Sequence, residues 1–152
     1  MSGPQPDFDF HHLFQSCRVP VSIHDLAPLY EEFARLRAAG IDDLILHLQE
    51  TPREVHRLFP LIRVMDANPA AVRFYEARDR DHLLKNLGET VDIPKLAVAL
   101  VSIWLEEECF DVQATHTSLL GRKRPVRVSG PIPGQDAPNM IIPVTVVELQ
   151  TP

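Results

Sequence analysis

The chain has 152 residues, a size typical of one domain. Its formal net charge of −6 argues against a nucleic-acid partner, because phosphate binding requires clustered basic groups. The sequence has neither a membrane-length apolar run nor the pattern of a signal peptide, and its two cysteines do not suggest a disulfide framework. We therefore expect a cytoplasmic protein without a membrane segment.

The first half of the chain is predicted to be mainly helical. Residues 1–9 are rich in Pro and Gly and are expected to be flexible. Asp7 or Asp9 is predicted to cap a short helix that ends at Ser16. Alternating apolar residues then predict a first strand at 19–23. Helical spacing of apolar residues and capping signals predict three further helices, at 26–39, at 42–50 and from Thr51 to Phe59.

A strand that runs directly into a capped helix is the most informative local pattern. Residues 61–67 are predicted to form the strand, and Asn68 is placed to accept the first free N–H groups of a helix over 69–77. Pro69 then occupies the first helical position, where no N–H donor is missed. A further short helix is predicted at 79–87, with Asp79 as its cap.

The strongest helical pattern covers residues 92–107, with Asp92 as the predicted cap. Apolar residues surround this helix on nearly all sides, which indicates burial on more than one face.

In the last third of the chain the apolar period changes from 3.6 to 2. Residues 110–129 are predicted to form a β-hairpin, and 130–139 a loop. Residues 140–149 are predicted to form a central strand, apolar on both faces. Pro143 has no N–H to donate, so this strand needs a bulge or an unpaired stretch there.

The titratable residues do not form a recognisable catalytic or metal-binding motif. The seven histidines lack ligand spacing, and the sequence contains no nucleophile elbow and no Gly-rich phosphate loop. No metal and no cofactor is therefore predicted.

The candidate binding site is apolar. A sheet face from the C-terminal third is expected to meet the helix 92–107 and to leave a small ligand cavity at the seam. The simpler interpretation, that these side chains form ordinary core, stays open. The predicted pocket residues are Val64, Val72, Phe74, Leu84, Leu100, Trp104, Val112, His116, Val128 and Val144.

Four motifs, in this order, resemble those of PAS sensor domains. Residues 66–71 (DANPAA) resemble the second strand and helix entry of that family, and residues 81–84 (DHLL) the short acidic helix that follows. Residues 117–122 (TSLLGR) resemble its hairpin turn, and residues 144–150 (VTVVELQ) stand at its last strand. Residues 13–44 are similar to the extra helices that a subgroup of bacterial sensors carries between the first two strands.

The resemblance implies an α+β fold, a five-stranded antiparallel sheet flanked by helices. It implies one domain over 10–150, with a helical insertion at 26–59 after the first strand. It further implies a non-catalytic signal-input domain that binds a small ligand or a partner. Such a domain is attached to a C-terminal effector, for example a histidine kinase of a two-component system or a diguanylate cyclase. The reactive Cys of flavin-binding members and the haem-ligating His of the long helix are both missing, so the ligand is unknown.

Two alternatives remain open from the sequence. In the first, the domain is a dimerisation module without ligand, and in either case we expect a homodimer through the N-terminal helix around Phe10, Leu13 and Phe14. In the second, the chain is a small α+β enzyme with a buried cavity and His116 or Asp66 as the acid–base group. The chain ends beside the expected output linker, which favours a fragment of a longer protein.

Overall fold

A five-stranded antiparallel sheet organises the computed structural model, which describes residue 3, residues 8–134 and residues 136–150. Most of the N-terminus predicted to be flexible (1–9) lies outside the described residues. The strands are β1 (Val21–Asp25), β2 (Arg63–Ala67), β3 (Cys109–Thr117), β4 (Lys123–Pro131) and β5 (Ile141–Glu148). The helices are α1 (Phe10–Ser16), α2 (Ala27–Ala38), α3 (Leu44–Glu50), α4 (Glu54–Leu58), α5 (Pro69–Phe74), α6 (Arg80–Thr90) and α7 (Leu96–Trp104), with 3-10 turns at Phe59–Leu61 and Ile93–Lys95.

The strand order β2-β1-β5-β4-β3 places β5 at the centre, as its apolar faces predict. All neighbouring strands are antiparallel, and β3 pairs with β4 along its whole length as the predicted hairpin. The helices α2, α3 and α4 lie between β1 and β2, in the region predicted to be an insertion. The α+β fold with its five-stranded sheet is therefore confirmed.

Pro143 is accommodated by an unpaired stretch on one side of β5. Val146 donates its N–H to Pro20 O on the β1 side, at 3.1 Å. Because the backbone nitrogens of a strand point to alternate sides, the nitrogen of Pro143, three residues earlier, points towards β4. The β4 ladder, however, begins only at the pair Ser129–Thr145. The missing donor of Pro143 therefore costs no ladder hydrogen bond.

Gly130 allows β4 to pass close to Phe110 and Pro143. A Cβ at Gly130 would lie 2.8 Å from Phe110 Cζ and 2.9 Å from Pro143 O. Because a backbone oxygen cannot rotate away, we expect Gly130→Ala to lower the free energy of unfolding by about 1–3 kcal/mol. Urea titration would measure the loss. Gly134→Ala is the matched control, since its Cβ would meet no atom within 4 Å; equal stability of the two variants would contradict the steric explanation.

Two hydrophobic clusters pack against the sheet. The larger one joins α2, α3, α4 and α7 to β3 and β5, with Leu29, Phe33 and Leu100 among its fully buried members. The second joins α5 and α6 to β2, β4 and β5, around Leu83 and Val126. Burial of these apolar surfaces supplies the main stabilisation of the fold.

The helix predicted at 92–107 is shorter in the structure. The side chain of Asp92 makes no capping hydrogen bond, and the chain passes through a 3-10 turn at Ile93–Lys95 before α7 begins. Glu106 has φ +57°, the left-handed conformation that ends a helix, so α7 stops at Trp104 rather than at residue 107. The helix is buried on two sides, although Val98 is half-exposed.

The strand predicted at 19–23 is displaced by two residues. Val19 lies outside the ladder because its carbonyl accepts a hydrogen bond from the Asn68 side chain, and β1 begins at Val21. The third predicted helix begins at Glu54 instead of directly after Thr51.

An ion-pair network around the buried carboxylate of Glu32 joins the inserted helices. Arg57 on α4 donates to Glu32 of α2 at 2.9 Å and also to Glu54, while His47 of α3 lies 2.7 Å from Glu54. The hydrogen bond from Arg57 lowers the pKa of Glu54. Since Glu32 is buried, its pairing with Arg57 and Arg35 avoids an uncompensated charge in the core.

Candidate functional site

A cavity of about 100 Å³ lies between the sheet and the helices. Strands β1, β3, β4 and β5 line one side of it, and α6, the turn before α7 and α7 itself line the other. The residues of α7 that face it, Leu96, Ala99 and Ile103, are spaced as one helical stripe. The volume is about two-thirds of an engineered protein cavity of about 150 Å³ that holds benzene. The site therefore has room for a molecule smaller than benzene.

Four of the predicted pocket residues line this cavity, all on the sheet. They are Val112 and His116 on β3, Val128 on β4 and Val144 on β5. The registers pair Val112 with Val128, and they place both residues on the face that meets α7. The structure therefore brings the β-sheet part of the predicted site together.

The other six predicted pocket residues lie away from the cavity, for two reasons. Val72, Phe74 and Leu84 belong to the second hydrophobic cluster, and β2, which carries Val64, contributes no lining residue. Leu100 and Trp104 occupy the side of α7 next to the cavity stripe, in the larger cluster.

Trp104 packs into the core through two specific contacts. Its ring meets Phe33 of α2 edge to face with centroids 5.0 Å apart, and the guanidinium of Arg37 lies 3.9 Å above it. Arg37 also donates a hydrogen bond of 2.8 Å to Trp104 O. The tryptophan therefore ties α7 to α2 and does not face the cavity.

His24 is a buried polar residue of the cavity that sequence reasoning missed. It is 7% exposed, and burial lowers its pKa from 6.5 to about 4, partly offset by an interaction with the Ile62 backbone. The ring is therefore neutral at pH 7. Its Nε2 lies 2.7 Å from Ser22 Oγ, whereas Nδ1 has no hydrogen-bond partner of normal geometry among the described residues.

His116, the second histidine of the cavity, has a partner inside the protein. Its Nδ1 shares a hydrogen bond of 2.7 Å with the Tyr75 hydroxyl. Burial lowers the pKa of His116 to about 4, although the nearby Asp92 carboxylate opposes that shift, and burial also raises the pKa of Tyr75. This pair is a neutral polar contact within an otherwise apolar wall.

The charged groups of the cavity lie at its solvent edge. Asp92 is half-buried and Lys95 is exposed, and both line the opening beside α7. Asp66, the other predicted acid–base candidate, is not a lining residue; its carboxylate accepts hydrogen bonds from Ala67 N–H and Arg80. The described residues contain no cluster of three potential metal ligands and no helix long and apolar enough to cross a membrane.

Asn68, which lies outside the cavity, connects helix α5 to the start of β1. Its side chain accepts hydrogen bonds from Val21 N–H and Ala71 N–H, both at 3.0 Å, and donates to Val19 O at 2.9 Å. The residue thus caps α5 and fixes the start of β1 at the same time.

The sequence did contain a signal for His24, but a weak one. The apolar residues Val21 and Ile23 dominate the alternation of the first strand, but Ser22 and His24 line the cavity together with Val21. Only the sheet order, which places β1 beside β5, shows that this polar pair belongs to the site.

An antiparallel sheet flanked on one side by helices, with a small cavity between them, defines a class of α+β domains. No protein family and no curated protein matches the chain. Among solved structures, the chain is similar to a domain of a sensory box sensor histidine kinase/response regulator from Geobacter sulfurreducens. The two share 17% identity with a TM-score of 0.53, over 90% of this chain and 89% of that one. A PAS domain from a two-component sensor histidine kinase is similar at 16% identity and a TM-score of 0.53, over 92% of this chain and 93% of that one.

These likenesses show that the chain has the PAS fold. The recognition made from residues 66–71 and from the hairpin turn is confirmed at the level of the fold.

Proposed function

We propose that this chain is a sensory PAS domain that binds a small molecule in the sheet–helix cavity. The observation that carries the proposal is the sheet–helix cavity itself, because its lining includes Ile142, Val144 and Val146 of the last strand. Both similar structures come from sensor histidine kinases by their names, which supports a link to a C-terminal effector of that kind or to a diguanylate cyclase. The cytoplasmic location stays a prediction from the sequence.

The proposed mechanism follows from the lining of the cavity, which includes residues of α7 on one side and of β5 on the other. A ligand in the cavity contacts α7 through Ala99 and Ile103 and contacts β5 through Val144. The ligand shifts the equilibrium between two packing arrangements of α7 against the sheet only if it binds one arrangement more tightly than the other. The strand β5 then transmits the altered packing towards the effector.

Filling the cavity tests this proposal. Ala99 is buried and lines the cavity, so Ala99→Leu is expected to occupy the ligand volume and to abolish binding. Val98→Leu is the matched control, because Val98 is the preceding residue of the same helix and is half-exposed. Native mass spectrometry of the freshly purified proteins and an NMR fragment screen would measure binding. Equal binding by a folded Ala99→Leu variant, or no binding by the wild type, would contradict the proposal.

Dimerisation through α1 is a second candidate function, supported by the exposed apolar surface of that helix. Phe10 is 75% exposed and Leu13 is 50% exposed, and no residue of α1 is buried. An apolar patch of this kind often marks a contact with another chain.

Replacing Leu13 tests the dimer. We expect Leu13→Glu to convert a wild-type dimer into a monomer, because a charge at the centre of an apolar contact is not compensated. Light scattering after size-exclusion chromatography measures the mass. Leu120→Glu, at a residue that is 77% exposed on the hairpin turn, is the control and should leave the dimer intact. An unchanged mass for Leu13→Glu rejects this role of α1.

A further inference from the structure

We infer that the open edge of β3 is a self-association surface, at which two copies of the chain join their sheets by antiparallel pairing of β3 with β3. The inference goes beyond the proposed function and involves neither the cavity nor α1. Three features carry it: the length and regularity of this edge strand, its outward-facing backbone groups, and the charges at its two ends.

The two edge strands of the sheet differ in their protection against pairing. Short strands, bulges, prolines and charged side chains usually protect a sheet edge. The edge strand β2 has five residues and an irregular register with β1, and the Asp66 carboxylate accepts a hydrogen bond from Ala67 N–H. The other edge strand, β3, has nine residues in unbroken register with β4 and contains no proline, lysine or arginine. Its one carboxylate, Asp111, pairs with Arg127 at 3.0 Å.

The backbone groups of every second residue of β3 point away from the sheet. Ile132 N–H donates to Glu108 O, and Ser118 N–H donates to Arg122 O, one at each end of the hairpin. Since the ladder alternates, the even-numbered residues from 108 to 118 bond to β4, and the odd-numbered residues turn their N–H and C=O groups outwards. These outward-facing residues are Cys109, Asp111, Gln113, Thr115 and Thr117. In the described part of the chain, no backbone group hydrogen-bonds to them from that side.

The position of Gln113 sets the register of the proposed pair. Gln113 is the middle residue of β3, so a two-fold axis at this residue pairs the whole strand with its copy. Gln113 then lies opposite Gln113 of the second copy, and Asp111 lies opposite Thr115. Each such pair of outward-facing residues exchanges two hydrogen bonds, and the two Asp111 carboxylates do not meet.

The charges at the ends of β3 favour the antiparallel arrangement. Three exposed glutamates, residues 106–108, precede the strand, whereas the exposed Arg122 and Lys123 follow it. An antiparallel pair places the acidic end of each copy beside the basic end of the other, and a parallel pair would bring like charges together. Because β2 is protected, the joined sheet has no further open edge, and association stops at the dimer.

The contact is expected to be weak, because one strand edge buries little surface. Interfaces below about 1,200 Å² are typical of transient complexes, and we expect a Kd on the order of 0.1–1 mM. Light scattering of Leu13→Glu at micromolar concentration does not detect such a contact. The two kinds of association are therefore measured separately.

Disulfide trapping tests the pairing and its register. In a background with Cys17→Ser and Cys109→Ser, which removes both natural thiols, Gln113→Cys would place two thiols opposite each other. Their Cα atoms would be about 5.5 Å apart, a distance that a disulfide spans. Thr115→Cys is the matched control, since it is equally on the exposed face of β3 but its two copies would be about 13 Å apart or more. With oxidised glutathione we expect Gln113→Cys to form a linked dimer at least about tenfold faster than Thr115→Cys.

A dilution series of the ¹⁵N-labelled wild type tests the same contact without any substitution. On dilution from millimolar to micromolar concentration, the amide resonances of the five outward-facing residues should shift. Those of the even-numbered residues between them should shift much less, because their N–H groups already bond to β4.

Three results would overturn the inference. The first is equal trapping of the two cysteine variants together with concentration-independent resonances in β3. The second is a dilution effect confined to α1, which would show association through that helix alone. The third is growth into large assemblies, which would show that the edge pairs without a fixed register. None of these results bears on ligand binding in the cavity.

Discussion

Acidification from pH 6.5 to pH 4 is expected to lower the free energy of unfolding by about 5 kcal/mol, through two buried histidines. In the folded protein burial lowers the pKa of His24 and of His116 from 6.5 to about 4. A pKa lowered this far corresponds to about 2.5 kcal/mol for each ring over this pH range, because each ring is half protonated at pH 6.5 in the unfolded chain and half protonated at pH 4 in the folded protein. Native domains are stable by only about 5–15 kcal/mol, so this loss is a large fraction of the total.

The sign follows from proton binding. Above pH 6.5 both rings are neutral in the folded and the unfolded chain, and their burial has no pH-dependent cost. Between pH 6.5 and 4 the unfolded chain binds protons that the folded protein does not, so stability decreases as the pH falls. Below pH 4 both states are protonated at these sites, and the decrease from the histidines levels off. The carboxylate of Glu54, whose pKa is lowered from 4.5, adds to the loss from about pH 4.5 downwards, at the acid end of this window and below it.

Urea titrations at several pH values would measure the effect, with His24→Phe and His116→Phe as the decisive variants. Each substitution removes one titrating ring and should remove about half of the pH dependence between 6.5 and 4. A slope unchanged in both variants would show that other groups cause the acid sensitivity.

The fold was predictable because local signals and long-range patterns agreed. The junction at Asn68 and Pro69, the period change after residue 109 and the turn before Lys123 each specify one local structure, and together they permit few topologies. Even Pro143, which conflicted with a central strand, indicated the unpaired stretch that the structure shows. Helix ends were less accurate, since the ends of α7 depend on a 3-10 turn and on the left-handed Glu106.

The cavity was predictable only on its sheet side. Alternation in a strand separates two faces unambiguously, so Val112, His116 and Val128 were placed on the correct one. The helix α7 is apolar on nearly all sides, and its pattern does not distinguish the stripe at Ala99 from the neighbouring one at Leu100. His24 depended on the position of β1 beside β5, which no local pattern contains.

Asn68→Ala is expected to destabilise the protein by about 3–4 kcal/mol, far more than the loss of an ordinary helix cap. The side chain is fully buried and binds groups on two separate segments. On the first segment these groups are Val19 O, just before β1, and Val21 N–H, at its start; on the second the group is Ala71 N–H in α5. Its removal leaves Val21 N–H and Val19 O without these part-buried partners, while Ala71 N–H keeps only its backbone bond to Asn68 O. Each buried group left unsatisfied costs about 1–3 kcal/mol.

Asp79→Ala provides the matched comparison. Asp79 caps α6 by accepting a hydrogen bond from His82 N–H at 2.8 Å, but it is exposed and makes only this local contact. Its replacement should cost about 1 kcal/mol. The difference between the two variants, measured by urea unfolding, isolates the long-range bonds of Asn68 to the residues around the start of β1. Equal losses would mean that Asn68 acts only as a cap. Because Asn68 does not line the cavity, a folded Asn68→Ala variant should still bind the fragments that bind the wild type, which separates its structural role from the ligand site.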